Sequence, residues 1–170
     1  MSLSYWEKST LSAHDLIVVG GGIVGMSTAF HYQIKHPKSS VAIIERGLFP
    51  SGASTKNAGF ACFGSISELA EDLESTSPDS LLSLIESRYK GALQLRNLLG
   101  DSEIGYKPEG GFELDFNGHT HEQIDRFNEL LKPLFNADVF SNVTPTIKDR
   151  GFCTDKVKGL IKNAFEGSLD

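Results

Sequence analysis

Apolar residues recur along this chain with two different periods, and the change of period divides it. Leu16-Ile17-Val18-Val19 and Val41-Ala42-Ile43-Ile44 are unbroken, β-branched runs of strand length. The stretch between them reads as a helix, so the chain opens as strand, helix, strand. From Arg46 to Ser65 the periodicity disappears and small and polar residues dominate, notably Pro50-Ser51-Gly52-Ala53-Ser54-Thr55-Lys56-Asn57-Ala58-Gly59. Long irregular segments in compact proteins are usually functional or disordered. This one lies just past the second strand, where a sheet of this type places its ligand crevice.

Beyond Ser67 helical spacing takes over. Ser67 to Leu73 reads as a short helix with an acidic outer face of Glu68, Glu71 and Asp72. Ser77-Pro78-Asp79 reads as an N-cap with proline in the first turn. Leu81, Leu84, Ile85, Ala92, Leu95, Leu98 and Leu99 then form a packing stripe that Gly100 stops. Pro108 to Gly111 predicts a turn into Phe112 to Phe116, whose alternation predicts a half-buried strand. Thr120 with Gln123 suggests a capping box for a helix whose apolar face is Ile124, Phe127, Leu130, Leu131 and Leu134. Val139-Phe140 reads as a short strand, Thr144-Pro145 as a turn, and Val157 to Phe165 as a further strand. No internal repeat or low-complexity block interrupts the chain.

The turn after the first strand carries Gly20-Gly21-Gly22-Ile23-Val24-Gly25, and the second strand ends in Glu45, twenty residues beyond Gly25. This strand, glycine turn, helix and acid form the dinucleotide-binding fingerprint in its required context. Gly20 permits the tight turn, Gly22 lets a pyrophosphate approach the backbone, and Gly25 lets the helix pack on the strand. The helix amides and dipole would face the diphosphate. Glu45 would accept hydrogen bonds from the adenosine ribose and disfavour a 2′-phosphate, so FAD or NAD fits better than NADP.

Composition narrows the classes. The chain has 170 residues, 39% apolar and 22% charged, with a formal net charge of −6 and acids and bases interspersed. Its mean hydropathy is −0.16. These are the values of a globular protein with room for one modest domain. No Lys/Arg stripe marks a nucleic-acid partner, and no apolar run approaches the ~18 residues of a membrane span. The first residues lack the basic and apolar regions of a signal peptide. Cys62 and Cys153 form no Cys-x-x-Cys pair, and free thiols in a reducing cytoplasm are expected.

The pattern Asp15 to Gly25, the Glu45-Arg46 pair and, above all, Gly52-Ala53-Ser54-Thr55-Lys56-Asn57-Ala58-Gly59 resemble the N-terminal part of FAD-dependent amino-acid and amine oxidoreductases. This is the D-amino-acid oxidase superfamily, with its glycine and sarcosine oxidases and D-amino-acid dehydrogenases. Ser4-Tyr5-Trp6 is similar to the branch of γ-glutamylputrescine oxidase-like proteins. Phe165-Glu166-Gly167-Ser168-Leu169-Asp170 is similar to a mid-chain segment of the family.

The resemblance implies an α/β fold: a Rossmann-like FAD-binding βαβ unit followed by the beginning of an α+β substrate domain. Residues 12–66 would be the N-terminal part of the FAD-binding domain, and residues 67–170 a helical segment and part of the substrate domain. It implies that Gly20, Gly22 and Gly25, with Ile23 and Val24 between them, bind the FAD diphosphate, and that Glu45 and Arg46 bind the adenosine end. Ser54, Thr55, Asn57, Ala58, Gly59 and Phe60 would lie along the diphosphate and isoalloxazine. Lys56 reads either as a charge near the flavin or as a solvated loop lysine. The implied reaction is oxidation of a small amino acid or amine by hydride transfer to flavin N5, which needs little side-chain chemistry from the protein.

A βαβ unit gives two strands, whereas a doubly wound sheet needs about five. The resemblance covers the first half of the family's usual length. A truncated chain, inactive alone and lacking a C-terminal half as partner, is therefore expected. Two other readings stand beside it: an NAD-binding dehydrogenase domain, against which the Gly52 to Gly59 loop argues, and a non-catalytic fragment retaining the nucleotide scaffold. His119 and His121 lack a third metal-ligand pattern and are expected to be solvated. His14 is read as structural, and His31 and His36 as flanking a helix end. Cys62, near the flavin loop, is expected to be a small buried core residue rather than a redox or flavin-attachment site.

Overall fold

The computed structural model describes residues 4–11, 13–118 and 120–170, without the side chains of 9–11, 120 and 121. It separates into two compact units, Met1–Ala58 and Gly59–Asp170.

In the first unit a helix α1 (Tyr5–Leu11) precedes strand β1 (Leu16–Val19), helix α2 (Ile23–Lys35) and strand β2 (Val41–Ile44). The strands pair in parallel, Leu16 opposite Val41 and Val19 opposite Ile44. Their starts are held together by Asp15 and Ser40. The Asp15 carboxylate accepts from the Ser40 amide at 2.8 Å and from its hydroxyl at 3.0 Å. The predicted strand–helix–strand opening is therefore present, and among the described residues its sheet has these two strands. Parallel strands are normally covered on both faces. Here Ile17, Ile43 and Ile44 are exposed and Val19 is 85% exposed, while Val18 and Ala29 are buried.

The second unit carries most of the buried core. A two-residue strand β3 (Phe60–Ala61) leads to helices α3 (Ile66–Ser75) and α4 (Pro78–Leu99). Then follow strand β4 (Gly111–Asp115), helix α5 (Thr120–Phe135) and strands β5 (Phe140–Asn142), β6 (Gly159–Asn163) and β7 (Gly167–Ser168). Strand β6 is central in an antiparallel sheet of order β4-β6-β5, and β3 pairs antiparallel with β7. The three helices pack with this sheet around Phe63, Ile66, Leu69, Leu81, Ile85, Phe127, Leu131 and Phe140. A smaller cluster of Ile147, Val157 and Leu160 lies with Leu114 and Val143.

Ser77 caps α4 as its sequence predicts, accepting the Ser80 amide at 3.2 Å with proline in the first turn. The helix ahead of it begins earlier than expected. Ser65 is its N-cap, and Ser65 and Glu68 exchange the reciprocal bonds of a capping box. Glu68 is thus a cap as well as part of the exposed face. The capping box expected of Thr120 rests on a side chain outside the described residues.

The alternation of β4 is present, and its apolar face is half-buried: Leu114 packs on the smaller cluster while Phe112 and Phe116 are exposed. Phe112 is 39% exposed beneath the Arg150 guanidinium, 4.1 Å from the ring centroid, and Phe116, just past the strand, is 59% exposed. The other face is fixed by Glu113, which accepts the Ile66 amide at 2.9 Å and the Ser67 amide at 3.3 Å. A carboxylate that meets the amino end of α3 sets the phase of the strand. Cys62 also departs from expectation: both it and Cys153 are free and exposed. Partial burial of its sulfur, with Glu166 and Glu68 nearby, pushes the Cys62 thiol up and keeps it protonated.

Candidate functional site: a crevice at the amino end of α2

Strand β1 delivers the chain to Gly20, whose φ of +105° is a conformation that side-chain-bearing residues rarely adopt. The Gly20 amide donates to the Ile44 carbonyl at 2.7 Å, closing the turn against β2. One turn later Gly25 lies so close to the turn that a Cβ there would collide with the Gly20 carbonyl oxygen and touch Val18. Close packing of α2 on β1 therefore requires glycine at this position, as the fingerprint predicts.

The N-cap of α2 is Gly22, which offers no capping side chain. Ser54 supplies the cap from the following loop: its Oγ accepts the Ile23 amide at 2.9 Å. That hydroxyl oxygen stands where an anion's oxygen would meet the same helix terminus. A Cβ on Gly22 would lie 3.0 Å from this oxygen.

Glu45 ends β2 with both carboxylate oxygens engaged. Oε2 accepts the Gly21 amide at 2.8 Å, and Oε1 accepts the Arg46 and Gly47 amides at 2.9 and 3.3 Å. The Gly21 and Gly47 amides hold the carboxyl below the usual carboxylate range, so it is ionised at neutral pH. Gly21, the fingerprint position without a predicted role, is thus the residue that ties the glycine turn to the acid. The signal for it was the acid itself, which needs donors when no ribose is present.

These groups surround a crevice of about 440 Å³ lined by Val19, Gly20, Gly22, Ile44, Glu45, Arg46 and residues 50–54. Of the residues singled out by sequence, Gly20, Gly22, Glu45, Arg46 and Ser54 line it directly. Ile23 contributes its amide to Ser54, and Gly25 sets the packing behind it. Val24 instead lies along an exposed groove of α2 with Ser27, Thr28 and His31. Thr55 donates to the Pro50 and Gly52 carbonyls at 3.2 and 3.1 Å, and Asn57 donates to the Ser54 carbonyl at 2.9 Å, so both shape the loop. Ala58 closes the first unit. Gly59 and Phe60 belong to the second unit, where Phe60 is paired opposite Ser168.

The donor set fits a dinucleotide. A helix terminus without its own cap, glycine backbone and a hydroxyl suit a diphosphate, and the ionised acid beside them suits a ribose diol. Among the described residues no group of three His, Cys, Asp or Glu side chains is placed to hold a metal ion. His119 and the His121 side chain lie outside them. Among the described residues no helix is long and apolar enough to cross a membrane.

Solved structures share this fold. Glycine oxidase from Geobacillus kaustophilus aligns with a TM-score of 0.58 at 21% identity over 92% of this chain and 40% of that one. Glycine oxidase from Bacillus cereus ATCC 14579 gives 0.55 at 21% identity, over 92% of this chain and 41% of that one. L-proline dehydrogenase from P. horikoshii gives 0.58 at 18% identity, over 92% and 38% respectively. The chain therefore spans about 40% of the length of the first of these. No curated protein sequence matches it. A family model described as FAD dependent oxidoreductase (DAO) matches residues 15–150, covering the fingerprint, the crevice loop and most of the second unit. The chain belongs to this FAD-binding oxidoreductase family, and its architecture is an N-terminal part of that fold.

Proposed function

We propose that this chain forms the ADP-binding part of a flavoenzyme that oxidises a small amino acid or amine. The observation that carries the reading is the crevice, in which the Glu45 carboxylate, bonded to Gly21, and the Ser54-capped amino end of α2 lie beside the same glycine turn. Gly20, Gly22 and the Ile23 amide would hold the diphosphate, with Ser54 sharing that terminus. Glu45 would take the ribose hydroxyls and Arg46 the adenine edge. Thr55, Asn57 and Ala58 would keep the loop in shape, while Gly59 and Phe60 continue it toward the flavin. Val24 would support α2 from its outer side.

When bound, FAD supplies the hydride acceptor for a substrate C–H bond next to nitrogen. The chain's own share is to position the cofactor. The substrate class rests on the fold-sharing glycine oxidases and L-proline dehydrogenase, whose names specify amino acids. The exposed faces of β1 and β2 support completion of the sheet by further strands, on which turnover would depend.

Retention of FAD tests the reading. The purified protein, incubated with FAD and desalted, is expected to keep the two visible flavin bands. Anaerobic bleaching of those bands by glycine, N-methylglycine or a D-amino acid, and not by a 2-hydroxy acid, would support the substrate class. A colourless protein that retains NAD instead would replace it with the dehydrogenase reading.

A further inference from the structure

Asn163, on the central strand β6, is 4% exposed. Its Oδ1 accepts the Phe165 amide at 3.0 Å. This contact fixes the orientation of the side chain, because the opposite flip would set an NH2 group against an N–H. Nδ2 is consequently a buried donor with no acceptor among the described residues. Buried donors are nearly always matched in folded proteins, by protein or by ordered water.

Asn163 lines a cavity of about 40 Å³ with Ser65, Gly111, Glu113 and Glu166. Glu113 is fully used at the amino end of α3. Glu166, 7% exposed, spends only one oxygen: its Oε1 accepts the Phe63 and Gly64 amides at 3.0 and 3.3 Å. Its Oε2 sits against Gly111, where a Cβ would collide with it. The cavity wall thus holds one unmatched donor together with a carboxylate that uses its other oxygen on two amides.

We propose that this cavity is a binding site for an internal water molecule, which accepts from Asn163 Nδ2 and donates to Glu166 Oε2. The volume admits it, since a water needs only about 10–15 Å³ of such space. A cation would face the Nδ2 donor and leave it unmatched, and an anion would face the Glu166 and Glu113 carboxylates. A neutral group that both donates and accepts satisfies the pair. The bridge joins the central strand to the residue that clamps Phe63 and Gly64, and so steadies the segment entering α3. It is independent of the flavin reading.

Two measurements on the full chain decide it. A high-resolution crystal structure is expected to show one density peak on the order of 3 Å from both Nδ2 and Oε2. In solution, the assigned Asn163 side-chain amide protons are expected to show cross-peaks to water with the sign of a long-lived contact. A dry cavity in the crystal, or the absence of those cross-peaks, would overturn the proposal. So would a peak that gains scattering when rubidium replaces sodium, which would make the occupant a cation.

Discussion

The Glu45 carboxylate, which lines the crevice, and the Gly21 amide of the glycine turn are joined by a hydrogen bond of 2.8 Å. The acid that recognises ribose in this reading also organises the glycine turn. Removing it therefore affects binding in two ways, through the lost ribose contact and through a looser turn. Glu45→Ala is expected to weaken FAD binding by roughly 10- to 100-fold, the range of a hydrogen bond to a charged group. Flavin fluorescence titration measures it.

The same carboxyl predicts a pH dependence. Its folded pKa is depressed by the Gly21 and Gly47 amides. Its contribution is then present above the ordinary carboxylate range and lost as pH falls through the lowered folded value. The Gly21 amide resonance should therefore hold its shift from neutral pH down through that range and move only in stronger acid.

Glu166 predicts the opposite sign. Burial, together with Glu68 and Glu113, raises its pKa even though Phe63 and Gly64 donate to it. A raised carboxyl pKa contributes stability below the unfolded value that is lost as pH rises through the folded one. Glu166→Gln keeps an acceptor for both amides and removes the charge, so its thermal stability should fall less than the parent's between acid and neutral pH. Glu166→Ala strands two buried amides and should cost about 2–4 kcal/mol in chemical denaturation.

At the centre of the second unit, Phe127 is fully buried among α3, α4 and β5 residues. Phe127→Ala should destabilise that unit by about 3–5 kcal/mol. Near-ultraviolet circular dichroism during denaturation reads the loss. In the first unit Gly25→Ala should disrupt the turn, because the added Cβ meets the Gly20 carbonyl, and a backbone cannot step aside as a flexible side chain can. Loss of FAD binding with the second unit still folded is the expected result.

What could be read in the sequence follows from how local each signal is. The β1–α2–β2 opening rests on apolar runs and glycines whose causes lie within a few residues, and the α4 cap rests on Ser77 and Pro78 alone. The roles of Glu113 and Glu166 depend on partners 47 and 103 residues away, which no periodicity records. The β4 alternation gave a half-buried strand but not these partners. Strands β3 and β7 have two residues each and leave no pattern of their own. In the crevice, the fingerprint identified Gly20, Gly22, Gly25 and Glu45, but the Ser54 cap on Ile23 arises only when the loop folds back. Cys62 looked apolar in sequence and is exposed because β3 is too short to enclose it.

The most direct test of the central claim is an equilibrium titration of the protein with FAD, repeated in the presence of ADP. The account predicts saturable binding of FAD, displacement by ADP because both fill the same crevice, and weaker binding in Glu45→Ala. FAD binding unaffected by ADP and by Glu45→Ala, or binding of NAD with none of FAD, would contradict it.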